Sequence, residues 1–399
     1  MDIICQILIG LLSKIDFGIM INYRNIPISL PVTGEEEWQA LKEPLMTGWL
    51  TSGPKVRQFE EDFARRHEVS HAIAVTSATT ALHLALVALG IGPGDEVIVP
   101  AFTWVSTANV VLHQGANVVF CDIDPKTFNI DPIELSKKIS KKTKAIMAVH
   151  LFGLCADIDA IQAIAPNVPI IEDCACAAGA AFKGIPAGGL GLMGCFSFHP
   201  RKSVTTGEGG MITTNDDKLA DKLRVLMNHG ASISEEQRHT GNQPYILPDF
   251  EVCGYNYRMT DLQGAIGVVQ LNKLDQFISE REYWANFYKK ELSRIEWLSL
   301  PEFPVDYKHG WQSFVTLIDE SKSPYPRNEI MKKLMKKGIS TRPGTHAVHM
   351  LNFYVQKYSI KPEDFPGAMV ANNCSMSLPL HNKMTKDDYH FVVEMIYEI

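Results

Sequence analysis

Lys202 stands in the run Ser197-Phe198-His199-Pro200-Arg201-Lys202, with Thr205-Thr206-Gly207-Glu208-Gly209-Gly210 close behind. Upstream, Ile170-Ile171-Glu172-Asp173 is an apolar run that closes on two acids. An amine and a carboxylate, each beside the end of an expected strand, suit one particular chemistry. Pyridoxal 5'-phosphate (PLP) needs a lysine to form a Schiff base with its aldehyde. It also needs an acid against its ring nitrogen, so that the protonated ring can act as an electron sink.

Other segments fit the same cofactor. Ser77-Ala78-Thr79-Thr80-Ala81-Leu82 follows an expected strand and opens an expected helix. A helix N-terminus offers free N–H groups and partial positive charge to a phosphate. Read alone, Ser77 is simply an N-cap. Val99-Pro100-Ala101-Phe102-Thr103-Trp104 leaves another strand, and Trp104 could stack on a flat ring or pack in a core. Asp173 ends an apolar strand, where an unpaired carboxylate is costly. Taken alone, it could equally be a helix cap or a loop acid. Lys202 by itself reads as an ordinary exposed turn lysine; the glycines of 207–210 suggest a tight passage that fixes the turn. Gly189-Leu190-Gly191-Leu192-Met193-Gly194 matches G-x-G-x-x-G, but a strand-like run follows it instead of a helix, so a dinucleotide site is not expected. There is no GxxxxGK[ST] loop and no HExxH, and no metal ligand set is predicted.

These residues need a scaffold. Short apolar runs at His71–Val75, Glu96–Val99, Asn117–Cys121, Ala145–His150, Pro169–Glu172, Cys195–Phe198 and Gly210–Thr214 alternate with helical stretches such as Ser77–Leu89. That alternation predicts an α/β domain: a largely parallel seven-stranded sheet covered by helices on both faces. We expect residues 1–19 to be an N-terminal extension, 20–65 a lead-in arm with a helix near Glu35–Leu45, 66–269 the large domain, and 270–399 a smaller C-terminal α+β domain. The last should hold a strand at Trp311–Asp319 and helices at Arg327–Lys337 and Lys386–Tyr397.

The 399 residues are 46% hydrophobic and 21% charged, with a net charge of −7. This is the balance of a globular enzyme with a large core, and it offers no general attraction to nucleic acid or an anionic membrane. The apolar stretch Ile3–Leu12 is closed by Lys14 and Asp16, far short of the roughly 20 residues a membrane span takes. The eight cysteines are scattered with no CxxC pair, as for reduced thiols in a cytoplasmic protein. The basic run Lys137–Lys144 reads as a solvated helix end.

In order along the chain, these segments resemble the DegT/StrS-type sugar aminotransferases, PLP-dependent enzymes of the aspartate aminotransferase fold (fold type I). The likeness runs from about Met20 onward. It includes Gly48-Trp49-Leu50-Thr51-Ser52-Gly53-Pro54, His150-Leu151-Phe152-Gly153, Gly254-Tyr255-Asn256-Tyr257-Arg258-Met259 and Ser377-Leu378-Pro379-Leu380-His381, besides the stretches above. The resemblance implies that Lys202 carries the cofactor and shuttles the proton, and that Asp173 pairs with the ring nitrogen. It implies that Trp104 stacks on the ring and that Ala78, Thr79 and Ser197 hold the phosphate. Asn256 would reach the phosphate of a neighbouring subunit, making a homodimer with shared sites. The family usually has Gln or His where this chain has Cys176, near the cofactor's phenolic oxygen, and often His where it has Ala178. A thiol is a poor donor, so tuning of the cofactor should differ here.

Lys202 argues for transamination, because relatives that dehydrate sugars typically carry His there. The expected reaction moves an amino group from a donor such as L-glutamate to a nucleotide-linked keto sugar. Gly48–Pro54 resembles relatives that aminate C4 of 4-keto-6-deoxy sugars, which implies C4, with C3 as the alternative. Tyr255, Arg258, His346 and His349 are candidates for substrate contact or for plain packing. Two other classes stay open: an NAD-linked sugar oxidoreductase and a non-catalytic PLP-binding regulator. A yellow protein would exclude the first, and turnover of glutamate the second.

Overall fold

The computed structural model describes residues 24–232 and 247–399. The expected extension at 1–19 lies outside the described residues. Seven strands form the central sheet: β1 His71–Val75, β2 Glu96–Pro100, β3 Asn117–Cys121, β4 Thr143–Val149, β5 Ile170–Asp173, β6 Met193–Ser197 and β7 Gly210–Thr214. Their spatial order is β1-β7-β6-β5-β4-β2-β3. All run parallel except β7, which is antiparallel to both neighbours.

Alternation along the strands explains why the sheet is buried on both sides. Ile73 and Val75 of β1 face one apolar cluster, while Ala72 and Ala74 face another. Ala145 and Met147 of β4 join the first cluster, and Ile146 and Ala148 a third. The first cluster packs helix α1 Ala78–Ala88 through Leu82 and Ala85. The opposite face beside β1, β7 and β6 is filled by aromatics, with Phe59 and Phe63 against Phe196 and Phe198.

A smaller three-stranded sheet, β8 Leu298–Ser299, β9 Phe314–Ile318 and β10 Ser375–Leu378, packs on helix α4 Lys386–Tyr397 around Trp311, Phe314 and Tyr389. It is joined to the large sheet through helices α2 Asp261–Asn272 and α3 Leu274–Leu292. The expected boundary at 269/270 falls inside α2. Helix α3 gives Leu274 and Phe277 to the aromatic cluster of the large sheet and Tyr288 and Leu292 to the core of the small one. The helix expected near Glu35–Leu45 is two short helices, Glu35–Ala40 and Lys42–Thr47. The second ends on Gly48 in the left-handed region at φ 77°. Among the described residues, no helix is long and apolar enough to cross a membrane.

Candidate active site

The C-terminal ends of the parallel strands open on one cavity of about 580 Å³, whose far wall comes from the small sheet. Ligands of open α/β sheets sit at this edge. Lys202, Asp173, Ala78, Thr79, Trp104, Cys176 and Ser197 all line it. Asn256 does not; it is exposed and pairs with Asn228 in an isolated bridge.

Asp173 and Glu172 close β5, and the pleat sends neighbouring side chains to opposite faces. Asp173 therefore shares the face of Ile171, beneath α1, where the cavity lies. Its carboxylate accepts from Thr107 Oγ1 at 2.8 Å and from Ala175 N at 3.1 Å. Among the described residues no cation is within ion-pair distance of it. Burial raises its pKa; the Thr107 and Ala175 bonds and the Lys202 charge pull the other way. An almost fully buried carboxylate without a cation is what a protonated ring nitrogen would complete.

Glu172 points the other way and is fully enclosed. It accepts from His150 Nε2 at 2.8 Å and from the backbone N–H groups of Gly188, Leu190 and Gly191 at 2.8, 2.9 and 2.6 Å. His150 Nδ1 accepts from Ala156 N at 3.0 Å, so the proton that His150 gives Glu172 sits on Nε2. The glycine-rich stretch that looked like a dinucleotide loop is thus part of an anion cradle filled by the protein's own carboxylate. His150, Glu172 and Cys174 place possible metal-ligand atoms within 4.8 Å of one another. Both Glu172 oxygens are already taken by donors, which favours a structural role for the cluster.

Lys202 lies in the loop of a hairpin joining β6 to β7. Phe198 N donates to Gly209 O at 2.9 Å, and Lys202 N to His199 O at 2.8 Å. Gly207 takes φ 84° as the loop returns. The small-sheet side holds this turn from outside: Gln312 Nε2 donates to Arg201 O at 3.1 Å and Arg281 to Ser203 Oγ at 3.3 Å. Lys202 Nζ reaches Cys176 Sγ at 3.2 Å, its one side-chain partner among the described residues.

The start of α1 forms the third wall. Ser77 Oγ accepts from Thr80 N at 3.1 Å, and Thr80 Oγ1 from Ser77 N at 3.0 Å, a closed capping box. The N–H groups of Ala78 and Thr79 are left facing the cavity. Gly210 pairs with Val75 on one side and Ser197 on the other. A Cβ there would overlap the Ser77 carbonyl, so only glycine lets α1 come this close to the sheet. A free helix start, a bare glycine, a cation-less buried acid and a lysine without an ion pair all fit a phosphorylated pyridine aldehyde.

Trp104 is 57% exposed and meets His346 edge-on at 5.5 Å. His346 lines the cavity, while His349 is buried behind it. Tyr255 and Arg258 stand away from it: Tyr255 stacks on Tyr257, and Arg258 donates to Asn228 at 2.8 Å. Sequence reading did not give Thr107 a role. Its signal was there in the spacing from Thr103, one helical turn back, whose hydroxyl lies 3.1 Å away.

This sheet order, with lysine, acid and helix start at one edge, is the arrangement of a PLP-dependent enzyme, and the family match makes it an aminotransferase. The chain belongs to the DegT/DnrJ/EryC1/StrS aminotransferase family, whose model matches residues 31–397. It is 42% identical to the spore coat polysaccharide biosynthesis protein SpsC of Bacillus subtilis, over 95% of this chain and 99% of that one. Spr1654 from Streptococcus pneumoniae in its PMP form superposes with a TM-score of 0.87 at 28% identity, covering 93% of this chain and 98% of that one. Its PLP form gives a TM-score of 0.85. PseC of Helicobacter pylori, an aminotransferase involved in pseudoaminic acid biosynthesis, gives 0.87 at 26% identity, over 94% of this chain and 99% of that one.

Proposed function

We propose that this aminotransferase moves the amino group of L-glutamate to the keto carbon of a nucleotide-linked sugar, at C4 of a 4-keto-6-deoxy sugar. The observation that carries the reading is one cavity that holds Lys202 and Asp173 and is otherwise rich in cations. Lys202, Arg201, Arg327 and Arg342 line it against Asp173 and Glu208, in a chain of net charge −7. Such a pocket suits a cofactor phosphate, a dicarboxylate donor and a nucleoside diphosphate. The C4 assignment rests on the likeness of Gly48–Pro54 to relatives acting there. SpsC supports a place in surface polysaccharide synthesis, and PseC supports amination of a sugar precursor.

When bound, PLP supplies the electron sink that lets a proton leave the donor carbon. Lys202 is the residue whose amine would hold the cofactor aldehyde and then move that proton. Among the described residues its amine has no ion pair and only the weak thiol of Cys176 as a side-chain partner. Asp173 would stabilise positive charge on the ring nitrogen, an attraction of about 4 kcal/mol in a partly shielded site. Ala78 and Thr79 N–H with Ser197 would orient the phosphate, and Trp104 would cover the ring.

Asn256 lies outside the cavity of its own chain, and the lead-in arm exposes Trp38, Leu45, Met46 and Leu50. Both features support a homodimer in which Asn256 serves the partner's phosphate. We place the enzyme in the cytoplasm, with 66–269 binding the cofactor and 270–399 forming the second domain.

A panel of nucleotide keto-sugars incubated with glutamate tests the reading by product mass. We expect replacement of the keto oxygen by an amino group in a 4-keto-6-deoxy sugar. Amination confined to 3-keto sugars, or to none of the panel, would overturn it.

A further inference from the structure

Cys176 is half-buried and lines the active-site cavity, where small solutes reach it. Its Sγ lies 3.2 Å from Lys202 Nζ, the one contact between a cysteine and a lysine amine among the described residues. Cys121, Cys155, Cys174 and Cys195 are buried, and burial raises the pKa of each, which keeps them as unreactive thiols.

Both atoms of the pair are carried on fixed backbone. Cys176 sits in the turn after β5, where Ala177 N donates to Cys174 O at 2.9 Å. Lys202 sits in the hairpin after β6, where its own N donates to His199 O at 2.8 Å. β5 and β6 are neighbours in the sheet, so their exits meet on one side of the cavity. The lysine stem is flexible and can close the remaining gap by rotation. A cysteine oxidised to sulfenic acid condenses with a nearby thiol or nitrogen. No thiol is aimed at Cys176: Cys174 is buried in the opposite cluster, with its Sγ 3.9 Å from Glu172 Oε2. The group in reach is the Lys202 amine.

We infer that Cys176 and Lys202 are the site of a reversible oxidative cross-link, a sulfenamide formed with hydrogen peroxide as the oxidant. Peroxide gives one oxygen to Cys176 Sγ, leaving a sulfenic acid and water. The lone pair of Lys202 Nζ then attacks the sulfur. An S–N bond forms as the S–O bond breaks, and the departing hydroxyl takes a proton from the amine as a second water. The sulfur loses two electrons and one peroxide is reduced. One dithiothreitol reverses the step, returning thiol and amine and becoming a cyclic disulfide. The linked nitrogen is no longer a primary amine and cannot form an imine, so the cross-link and attachment of PLP exclude each other. This consequence rests on the role proposed for Lys202 above.

The test treats wild type, C176S and K202A with hydrogen peroxide and locates the products by peptide mass spectrometry without reductant. Each protein is loaded with PLP or with pyridoxamine phosphate, which has no aldehyde and leaves Lys202 free. In the pyridoxamine form of wild type, we expect the Cys176 and Lys202 peptides joined and lighter than their sum by two hydrogen atoms. Dithiothreitol should separate them and restore the lost turnover. C176S should give no cross-link and keep more of its own untreated turnover than wild type does. In K202A the sulfenic acid should persist at Cys176 and be captured by dimedone. A Cys176 that stays unmodified, passes to sulfinic acid unlinked, or joins another cysteine overturns the inference. Equal cross-linking in the PLP form would remove Lys202 as the attachment point and leave the cross-link itself standing.

Discussion

Asp173 is an acid waiting for a cation. Its two oxygens are served by a hydroxyl and one backbone N–H, and burial holds its pKa up. Asp173→Asn keeps the shape and the Thr107 contact but removes the charge. Losing about 4 kcal/mol of attraction should lower transamination by roughly a hundred- to a thousandfold, with the fold intact by circular dichroism. A variant within twofold of wild type would show that the ring nitrogen has no need of this group. Neither Lys202 nor Asp173 stood out alone in the sequence; what singled them out was their place among the other ordered segments, and the fold brings both to one cavity. Thr107 and the Cys176 contact to Lys202 were harder to see. The first depends on how the helix after β2 meets the end of β5, and the second on how the turn after β5 meets the hairpin after β6; spacing hints at Thr107, but the approach of distant segments is not written in any local pattern.

The elements explain why the cavity has its shape. The pleat divides the two acids that end β5: Asp173 faces the cavity, and Glu172 ties β4, β5 and the glycine-rich loop together. Glu172→Ala would strand His150 Nε2 and three backbone N–H groups in a dry interior. We expect a loss of about 3 kcal/mol or more, read as a lower midpoint in urea; an unchanged midpoint would mean that water replaces the carboxylate. Gly210 acts at the other wall. Gly210→Ala should push the start of α1 away from Ser197, costing about 1–3 kcal/mol and weakening cofactor binding together with stability. The seven strands were readable to within two residues at each end, because apolar runs between helical stretches are a strong local signal. The use of the glycine-rich loop was not. The following strand argued against a dinucleotide site, but the carboxylate that fills the cradle comes from 16 to 19 residues earlier and arrives through sheet pairing.

At the scale of the molecule, two buried histidines set a lower pH limit. Burial depresses His67 to about 4 and His309 to about 3. Unfolded, both titrate near 6.5. Below that value the unfolded chain takes up protons that the folded chain refuses, so their contribution is complete above pH 6.5 and lost as pH falls toward 4 and 3. The melting temperature should hold on the neutral side and drop steadily below about pH 6. A flat profile down to pH 4 would contradict the burial of these rings. The way the two sheets meet was only partly readable. A smaller α+β unit was expected over 270–399, yet α3 runs through both cores, and a helix with two apolar environments looks in sequence like a helix with one.

The central claim is that Lys202 is the attachment point of PLP. Reducing the cofactor-loaded protein with borohydride fixes the cofactor to its lysine, and peptide mass spectrometry then locates it. The account predicts one phosphopyridoxyl group per chain, on the peptide containing Lys202, with no other lysine modified. Modification at a different lysine, or cofactor that washes away after reduction, would contradict it.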